Sequence, residues 1–336
     1  MRLAAIAFTE RGWKLASRAC RALDGWDCEA ARGFGEGKRP LAAWTAEAFA
    51  DADALLFVGA LGIAVRAIAP HVRSKAHDPA VVVMDEGGTW CISLLSGHLG
   101  GANRLAEQLG RAVGATPVIT TASDVRGVWS PDGWAHDAGL AVVEPGRVKG
   151  VSARLLAGDA VTVYLDGVLE GELPRGLERV VARDQAQVIM SPVVHAEEKA
   201  LHLVPPSVTV GVGCRRGIAA AAVGRAVEAA LAQACVPRAA VASAASIELK
   251  RDEEGLAGWA EAWGLPLAFY GVDELASVEG SVSSSPFVEQ VCGVDNVCER
   301  AALAGGGALI VPKRAQDGVT VALACRTWTY SFEEEA

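Results

Sequence analysis

Short apolar runs of strand length alternate along this chain with stretches of helical periodicity, and this alternation constrains its fold most. The runs Ala54–Val58 and Ala80–Met84 contain only apolar residues, and several of these are β-branched. Between them a helical stretch at Ile63–Ile68 is stopped by Pro70. Strands that alternate with helices in this way form a largely parallel sheet with helices on both faces. The sequence therefore predicts an α/β fold.

The alternation is clear in two regions, which a stretch of weaker signals separates. We predict two three-layer α/β/α domains, one at residues 1–140 and one at residues 206–336. A smaller middle segment at residues 141–205 joins them, and Pro205–Pro206 is typical of a linker. A chain of 336 residues is long enough for each domain to bury its own core.

The same patterns predict the other elements. Further strands are expected at Leu3–Thr9, Trp90–Leu95, Pro117–Thr121, Val161–Leu165, Gln187–Met190, Val208–Val212, Leu267–Tyr270, Ala308–Val311 and Val319–Ala324. Further helices are expected at Trp13–Leu23, Leu41–Ala50, Gly101–Val113, Val151–Leu156, Gly217–Gln233, Glu253–Trp263 and Asn296–Leu303. Ser281–Ser285 is predicted to be a polar loop.

Charge and hydropathy exclude several classes of protein. The formal net charge of −9 argues against a broad nucleic-acid-binding surface, which needs clustered Lys and Arg, but it is compatible with a local basic pocket. No apolar run approaches the ~20 residues of a membrane span. The first apolar stretch ends before Glu10 and is too short for a signal peptide. We therefore expect a cytoplasmic protein without nucleic-acid or membrane partners.

The eight cysteines are scattered along the chain without a CxxC pair. This spacing is not that of a zinc site, and a disulfide framework is not expected in a chain of this size without a secretion signal. We expect most of the thiols to be reduced and buried, and we expect no metal site of the protein's own.

The densest motif is Leu94–Asn103, in which a strand ends, a glycine-rich turn follows and a helix begins. Glycine backbone can approach a ligand closely, and a helix N-terminus favours negative charge. His98 is a candidate general base because histidine exchanges protons near neutral pH. A purely structural turn fits the pattern as well. The candidate substrate-binding residues of this motif are Ser96, Gly97, Gly100, Gly101 and Asn103.

Two further strand-turn-helix motifs contain arginine. In Gly211–Gly217 the adjacent Arg215 and Arg216 suit bidentate recognition of carboxylates, although a tight turn with solvated arginines fits equally well. This motif is one residue too long for the dinucleotide-binding fingerprint. The motif Gly59–Arg66 presents Arg66 after a similar glycine turn.

Single polar residues after apolar runs are weaker candidates for catalytic or substrate-binding residues. Asp124 follows the strand predicted at 117–121, where ligand crevices of α/β proteins form. Lys250, Glu299 and Lys313 follow or flank apolar runs in the last domain. A solvated surface position is the more ordinary interpretation for each of them.

Together these motifs resemble those of the cobalt-precorrin-5A hydrolases, a family of the anaerobic cobalamin pathway. The matching strings of the N-terminal part are GIAVRAIAP, DPAVVVMDE, ISLLSGHLGGANRLAE and PVITTASD. Those of the C-terminal part are VGVGCRRG, ASIELKRDEEGL, SSSPFVEQVCGVDNVCERAAL, VPKR and VTVALA. They occur in family order over residues 1–137 and 207–325, and SGHLGGAN and GVGCRRG are the specific ones. The chain departs from the family pattern at Leu61, Ser123 and Cys298, where Thr, Thr and a small residue are usual.

The resemblance implies a reaction on a cobalt-containing tetrapyrrole. The δ-lactone of the ring-A acetate opens, and the two-carbon C20 unit leaves as acetaldehyde. For this reaction we expect His98 to activate water and the N–H groups of Gly100 and Gly101 to stabilise the oxyanion. Asp124 or Glu299 would serve as a further acid or base. The cations expected to bind the carboxylates of the substrate are Arg66, Arg215, Arg216, Lys250 and Lys313.

The resemblance also bears on cofactors and partners. Cobalt would arrive within the tetrapyrrole substrate, so no separate cofactor is expected. A homodimer and transient contacts with neighbouring enzymes of the pathway are further expectations.

Two other functions fit parts of the sequence. A non-catalytic binding or accessory protein for corrin intermediates is the first, and the SGHLGGAN motif favours the enzyme over it. A nucleotide-dependent enzyme is the second, and the missing fingerprint spacing counts against it.

Overall fold

The computed structural model describes residues 1–74, 77–98, 100–280 and 293–332 of the chain. The loop predicted at Ser281–Ser285 and the thiol of Cys292 lie outside these residues. The chain forms two compact units, the first comprising Met1–Asp137 with Val148–Asp159 and the second Ala138–Arg147 with Ala160–Ala336. The division into three segments that the sequence suggests stays a prediction.

The first unit is built on one six-stranded sheet. Its strands are β1 (Arg2–Ala7), β2 (Asp27–Arg32), β3 (Ala54–Val58), β4 (Ala80–Met84), β5 (Trp90–Leu95) and β6 (Thr116–Val118). Its helices include α1 (Glu10–Arg21), α2 (Leu41–Asp51), α3 (Leu61–Ile68), α4 (Ala102–Val113), α5 (Ala122–Arg126) and α6 (Pro131–Asp137). The strand order is β2-β1-β3-β4-β5-β6.

Helices cover both faces of this sheet. On one face Leu15 of α1 and Leu105 of α4 pack in one cluster with Leu56. On the other face Trp44 of α2 packs edge-on against Phe57, with ring centroids 5.5 Å apart. Burying one such side chain stabilises the fold by roughly 1.5–3 kcal/mol. The predicted three-layer α/β/α arrangement is confirmed for this unit.

Strand direction departs from the predicted parallel sheet after β4. Strands β1 to β4 run parallel, whereas β5 is antiparallel to β4 and β6 is parallel to β5. A tight turn joins β4 to β5, and the Asp85 carboxylate accepts the N–H groups of Gly87, Thr89 and Trp90 there. Partial burial would raise the pKa of Asp85, but these bonds outweigh it and lower the pKa. Consequently β5 and β6 end at the opposite end of the sheet from β1, β3 and β4.

The second unit contains two five-stranded sheets and a two-stranded one. Its strands are β7 (Ala141–Val142), β8 (Val161–Leu165), β9 (Val168–Glu170), β10 (Leu177–Arg179), β11 (Val188–Met190), β12 (Leu201–Val204), β13 (Val208–Cys214), β14 (Val241–Ile247), β15 (Leu267–Tyr270), β16 (Ala308–Gln316), β17 (Val319–Cys325) and β18 (Thr329–Ser331). Its helices include α8 (Ala220–Gln233), α9 (Glu254–Trp263), α10 (Val272–Ser277) and α11 (Val297–Ala304), and the division between the units passes through α7 (Pro145–Ala157). Short 3₁₀ helices lie at Arg183–Gln185, Arg238–Ala240 and Glu248–Lys250. The sheet orders are β10-β8-β11-β12-β7, β15-β14-β13-β17-β16 and β18-β9.

The sheet that contains β13 also has helices on both faces. Val321 of β17 packs in one cluster with Val227 of α8 and Trp259 of α9. The next residue, Ala322, packs with Ala302 of α11. Successive side chains of a strand point to opposite faces, so α11 lies on the face opposite α8 and α9. The three-layer prediction is confirmed for this region as well.

A buried charged cluster joins three segments of the second unit. The fully buried His202 contacts Glu144 through Nδ1 at 2.9 Å and Glu198 through Nε2 at 2.8 Å. Arg183 forms a two-point ion pair with Glu198, at 2.5 and 3.0 Å. Arg147 donates a hydrogen bond to the Glu198 carbonyl at 3.0 Å. These ion pairs and hydrogen bonds hold the three segments together around His202, while the surrounding side chains remain partly exposed.

Glu198 is expected to stabilise the fold at neutral pH and to lose this effect in acid. Partial burial opposes its ionisation, but hydrogen bonds from Arg183 and His202 outweigh burial and lower the pKa of Glu198 to about 2. A carboxyl with a lowered pKa stabilises the folded state above its unfolded-state pKa, and the effect disappears as the pH falls through the folded-state pKa. Glu198→Gln should therefore cost about 2–3 kcal/mol of unfolding free energy at pH 7 and much less near pH 2.

Urea unfolding of both proteins at several pH values measures this difference. Glu197→Gln is the matched control, because Glu197 is the exposed neighbour of Glu198. A cost for Glu198→Gln that stays constant between pH 7 and pH 2 would contradict the assignment.

One pair of cysteines differs from the expectation of unpaired thiols. Cys20 and Cys28 form a disulfide, with their Cα atoms 5.3 Å apart. They lie on α1 and β2, which a short turn joins, so the fold places the two side chains next to each other. The other described cysteines are free thiols, of which Cys91 and Cys298 are buried and Cys214, Cys235 and Cys325 half-buried.

Candidate active site

The loop between β5 and α4 brings His98 to Asp124 at the start of α5. The Nε2 atom of His98 lies 3.0 Å from Oδ2 of Asp124. The two residues meet because β5 and β6 are parallel neighbours, so the segments that follow them leave the same end of the sheet. Both side chains reach solvent, with 17% of His98 and 36% of Asp124 exposed. Two of the predicted catalytic residues thus form one polar pair.

Asn103 is a second residue that holds the carboxylate of Asp124. Its Nδ2 donates to Oδ2 of Asp124 at 3.2 Å and to Oγ1 of Thr121 at 3.3 Å. The hydroxyl of Ser93 donates to Oδ1 of Asn103 at 2.7 Å, which orients the amide. Both bonds to Asp124 use Oδ2, and no described residue donates to Oδ1. The carboxylate is therefore fixed by one oxygen and can accept a proton at the other.

Three backbone N–H groups at the start of α4 donate back to carbonyls of the motif loop. The N–H of Gly101 donates to the His98 carbonyl at 2.9 Å, and the N–H groups of Ala102 and Asn103 donate to the carbonyls of Ser96 and Gly97. Ser96 adopts a left-handed φ of 58°, and its hydroxyl donates to the Asp78 carbonyl at 2.9 Å. The Gly101 N–H is thus bound inside the turn, and stabilisation of an oxyanion by this group stays a prediction.

Two glycines of the motif have steric reasons to be glycine. A Cβ at Gly97 would lie 2.8 Å from Oδ1 of Asn103, and a Cβ at Gly100 would lie 2.4 Å from Cβ of Ser96. Such distances are shorter than van der Waals contact, so only glycine fits the turn. The structural interpretation of the motif therefore holds for its glycines. The predicted substrate contacts of Ser96, Gly97, Gly100 and Asn103 stay predictions.

A second wall of this site, which was not predicted from the sequence, is formed by α6 and the residues before it. Asp132, which is buried, lies 4.0 Å from Nδ1 of His98 through Oδ1. Its Oδ1 also accepts the hydroxyl of Ser130 at 2.9 Å. Ser123 lies 3.4 Å from Nε2 of His98. The sequence Ser130-Pro131-Asp132 is typical of a helix start, a signal that could have located this wall.

Arg66 lies at the other end of the same sheet. It is on α3, which follows the carboxyl end of β3, and its guanidinium donates back to the Gly62 carbonyl at 3.3 Å. His98 follows the carboxyl end of β5, which points the opposite way, so the length of a five-residue strand, about 16 Å, separates the two ends. Arg66 and His98 therefore do not line one crevice of this sheet. Carboxylate binding by Arg66 stays a prediction.

The glycines of the GVGCRRG motif are explained by helix packing. A Cβ at Gly211 would lie 1.9 Å from the Cys298 carbonyl oxygen, because α11 passes directly over β13 there. A Cβ at Gly213 would lie 2.5 Å from Oγ1 of Thr320 on β17. The two glycines let α11 and the Thr320 side chain pack closely against β13. No ligand contact is needed to explain them.

The cations after β13 and β14 lie close to a carboxylate that the sequence analysis did not single out. Glu253 accepts the N–H of Gly217 at 2.8 Å and pairs with Lys250 at 3.4 Å. Burial would raise the pKa of Glu253, but the Gly217 N–H and the charges of Lys250 and Arg216 outweigh it and lower the pKa. A substrate carboxylate would have to displace Glu253 from Lys250. Arg215, which is exposed and lies along Gly318, is the more open candidate.

An open concavity beside Arg216 does not favour an anionic ligand. Its volume is about 610 Å³, and Asp252, Glu253 and Glu254 border it together with Arg216. Three carboxylates against one guanidinium repel a polyanion. Carboxylate binding by Arg216 and Lys250 therefore has no support from this concavity.

Glu299 has a structural role beside strand β16. Its side chain is 1% exposed, and Oε1 accepts the N–H of Lys313 at 2.6 Å. Strand β16 bulges between Val311 and Arg314, which leaves the Lys313 N–H without its strand partner. The carboxylate supplies that partner from α11. The acid or base role of Glu299 and carboxylate binding by the half-buried Lys313 stay predictions.

Comparisons with known proteins bear on the identity of the chain. Residues 43–124 match the family model described as cobalamin synthesis G N-terminal, residues 129–205 the cobalamin biosynthesis central region, and residues 208–324 the cobalamin synthesis G C-terminus. The chain is 36% identical over 301 residues to the cobalt-precorrin-5A hydrolase of Salmonella typhimurium, over 82% of this chain and 83% of that protein. The chain belongs to the cobalt-precorrin-5A hydrolase family. The family resemblance predicted from the motifs is confirmed.

Other members and structures show similar matches. The cobalt-precorrin-5A hydrolase of Priestia megaterium is 32% identical over 292 residues, which cover 80% of this chain and 78% of that protein. A crystal structure of a cobalamin biosynthesis protein G homologue from Sulfolobus solfataricus aligns over 96% of both chains, with 22% identity and a TM-score of 0.42.

Two features are absent from the described residues. No helix in these residues is both long and apolar enough to cross a membrane. Among the same residues, no group of three or more His, Cys, Asp or Glu side chains is arranged to hold a metal ion.

Proposed function

We propose that this protein hydrolyses cobalt-precorrin-5A, opening the ring-A δ-lactone and releasing the C20 unit as acetaldehyde. Relatives that match more than three quarters of their length carry the name cobalt-precorrin-5A hydrolase. The observation that carries the proposal is the His98–Asp124 pair, 3.0 Å apart, at the solvent-accessible end of the sheet. A proton-transfer pair of this kind is what lactone hydrolysis requires.

The geometry favours Asp124 as the base and His98 as its partner. Nε2 of His98 is engaged with Oδ2 of Asp124, and His98 is the less exposed of the two side chains. Oδ1 of Asp124 accepts no hydrogen bond from the described residues, so it can take a proton from water. Asp124 can then give this proton to the leaving oxygen, while His98 holds its carboxylate in place through Oδ2. This exchanges the roles expected from the sequence.

The two steps balance with water as the only added reactant. In the first, the water oxygen adds to the lactone carbonyl, the ester C–O bond breaks, and the alkoxide takes a proton. In the second, the freed hydroxyl loses its proton and a carbon–carbon bond breaks to release acetaldehyde. The electron pair left on the macrocycle then takes a proton. The same pair can serve both steps, since each transfers one proton in each direction.

The substrate brings its own metal and several carboxylates. Cobalt is part of the tetrapyrrole, so the proposal includes no separate cofactor. Binding of substrate carboxylates by the exposed Arg215 stays a prediction from the resemblance. A homodimer and contacts with neighbouring pathway enzymes stay predictions from the resemblance.

Incubation of the purified protein with cobalt-precorrin-5A, with trapping of released aldehyde, tests the function. The expected result is one acetaldehyde per tetrapyrrole converted, with multiple turnovers per protein. A control without protein measures spontaneous lactone opening. Tight binding of the tetrapyrrole without acetaldehyde would contradict hydrolysis and indicate the accessory-protein alternative.

A further inference from the structure

Asn103 carries a buried amide in the first turn of α4, and both polar atoms of its side chain are engaged. Its Oδ1 accepts the hydroxyl of Ser93 at 2.7 Å, and its Nδ2 donates to Thr121 at 3.3 Å and to Asp124 at 3.2 Å. Only 8% of the residue is exposed. A substrate would therefore find little accessible surface and no unused N–H on this side chain.

The hydroxyl of Ser93 determines which way the amide faces. The oxygen and the nitrogen of an amide exchange places when the group turns by half a rotation. With Oδ1 bound to Ser93, Nδ2 faces Asp124. In the reverse orientation the amide oxygen would face the carboxylate, and two acceptors would repel each other. Among the described residues the Ser93 hydroxyl bonds to Asn103 alone, so its effect on Asp124 passes through the amide.

Asn103 and His98 bond to the same oxygen of Asp124. Nε2 of His98 lies 3.0 Å from Oδ2, and Nδ2 of Asn103 lies 3.2 Å from it. The lone pairs of a carboxylate oxygen lie in the plane of the group, so two donors at one oxygen fix that plane, whereas a single donor lets the carboxylate turn about its bond. With the plane fixed, Oδ1 keeps one position. It can meet water there, because the Asp124 side chain is 36% exposed.

We propose that Asn103, oriented by Ser93, is a positioning residue that fixes the carboxylate plane of Asp124 and so keeps Oδ1 in place as the proton acceptor. The effect of Asn103 on catalysis rests on the proposed function, whereas its effect on the orientation of Asp124 does not. This role differs from the substrate contact predicted for Asn103 from the sequence. The two roles have different kinetic consequences.

Asn103→Leu tests the role, because leucine is close to asparagine in size and forms no side-chain hydrogen bonds. The expected result is a kcat for acetaldehyde release about 10- to 100-fold lower, with KM changed less than about threefold, since a displaced base slows the chemical step more than binding. A substrate contact at Asn103 would instead raise KM. Gln108→Leu is the matched control. Gln108 is a half-buried amide residue further along α4, and its variant should keep the wild-type kcat and KM.

Substitutions of Ser93 test the same role from behind the amide. Ser93→Ala removes the hydroxyl and should lower kcat about 3- to 10-fold, while Ser93→Thr keeps a hydroxyl and should stay within twofold of wild type. Added to Asn103→Leu, Ser93→Ala should have no further effect, because Ser93 acts through the amide. Ser17→Ala, at a half-buried serine of α1, is the control and should keep the wild-type kcat.

Crystal structures of the wild-type protein and of Asn103→Leu, both without substrate, test the orientation itself. In the variant the carboxylate of Asp124 should be rotated or adopt more than one orientation. A carboxylate oriented as in the wild type would overturn the assignment. So would a kcat within twofold of wild type, or a raised KM at unchanged kcat.

Two other outcomes remain decisive. If Asn103→Leu does not fold, a loss of kcat in Ser93→Ala that Ser93→Thr restores supports the assignment, and a kcat within twofold of wild type or an unrestored loss overturns it. If the wild-type protein releases no acetaldehyde, the proposed function fails by itself, and the crystal structures still decide whether Asn103 orients Asp124.

Discussion

Asp124→Asn is expected to lower acetaldehyde release by about 10²- to 10⁴-fold, the usual contribution of a general base. The amide keeps the size of the side chain and its bond with Asn103, but it can no longer accept a proton from water. His98→Gln should have a loss of the same order, because it removes the partner of Asp124. The measurement is kcat for aldehyde release under substrate saturation.

Combining the two changes tests whether the pair acts as a unit. The kcat of the double variant should be little lower than that of either single variant, because either change alone already disables the His98–Asp124 pair. Asp51→Asn and His71→Gln change the same residue types elsewhere in the first unit. They should keep the wild-type rate of aldehyde release. Independent and multiplicative losses, or near-normal rates for either single variant, would argue against the pair.

Gly211→Ala is expected to destabilise the second unit by about 2–4 kcal/mol. The added Cβ would lie 1.9 Å from the Cys298 carbonyl oxygen and 2.6 Å from the Ala302 nitrogen. Both atoms belong to the backbone of α11, so the whole helix must move away from β13. Urea unfolding followed by circular dichroism measures the loss.

Gly258→Ala is the matched control for this prediction. Gly258 lies within α9 of the same unit, and a Cβ there would meet no atom within 4 Å. Alanine also favours a helix interior over glycine by up to about 1 kcal/mol. This control should be neutral or slightly stabilising. If Gly211→Ala were equally neutral, the close approach of α11 would not be the reason for glycine in the motif.

The strands with strong apolar patterns were predictable to the residue, while others were not. Ala54–Val58, Ala80–Met84 and Trp90–Leu95 match their predicted bounds, because such runs have few alternatives to a buried strand. Val241–Ile247 was not predicted, since its alanines and serines have little β-propensity. Its conformation depends on pairing with β13 and β15. Tertiary contacts there outweigh local preference.

The candidate site shows the same division. The SGHLGGAN motif and Asp124 were visible as strand-end residues, but 26 positions separate His98 from Asp124 and nothing local joins them. The parallel pairing of β5 with β6 places them together, and the antiparallel direction of β5 relative to β4 places Arg66 at the other end of the sheet. Asp132 was not predicted, because the helix-start pattern in which it stands does not show its distance to His98.

Local composition by itself determined the α/β class, most of the strongly patterned elements and the family, because these depend on apolar periodicity and on short motifs. Only the tertiary structure decided strand direction, the partners of His98 and the structural role of Glu299, which caps a bulge from a different element. These depend on contacts between residues distant in the chain. Their free energy comes from hydrogen bonds and packing that no local pattern encodes.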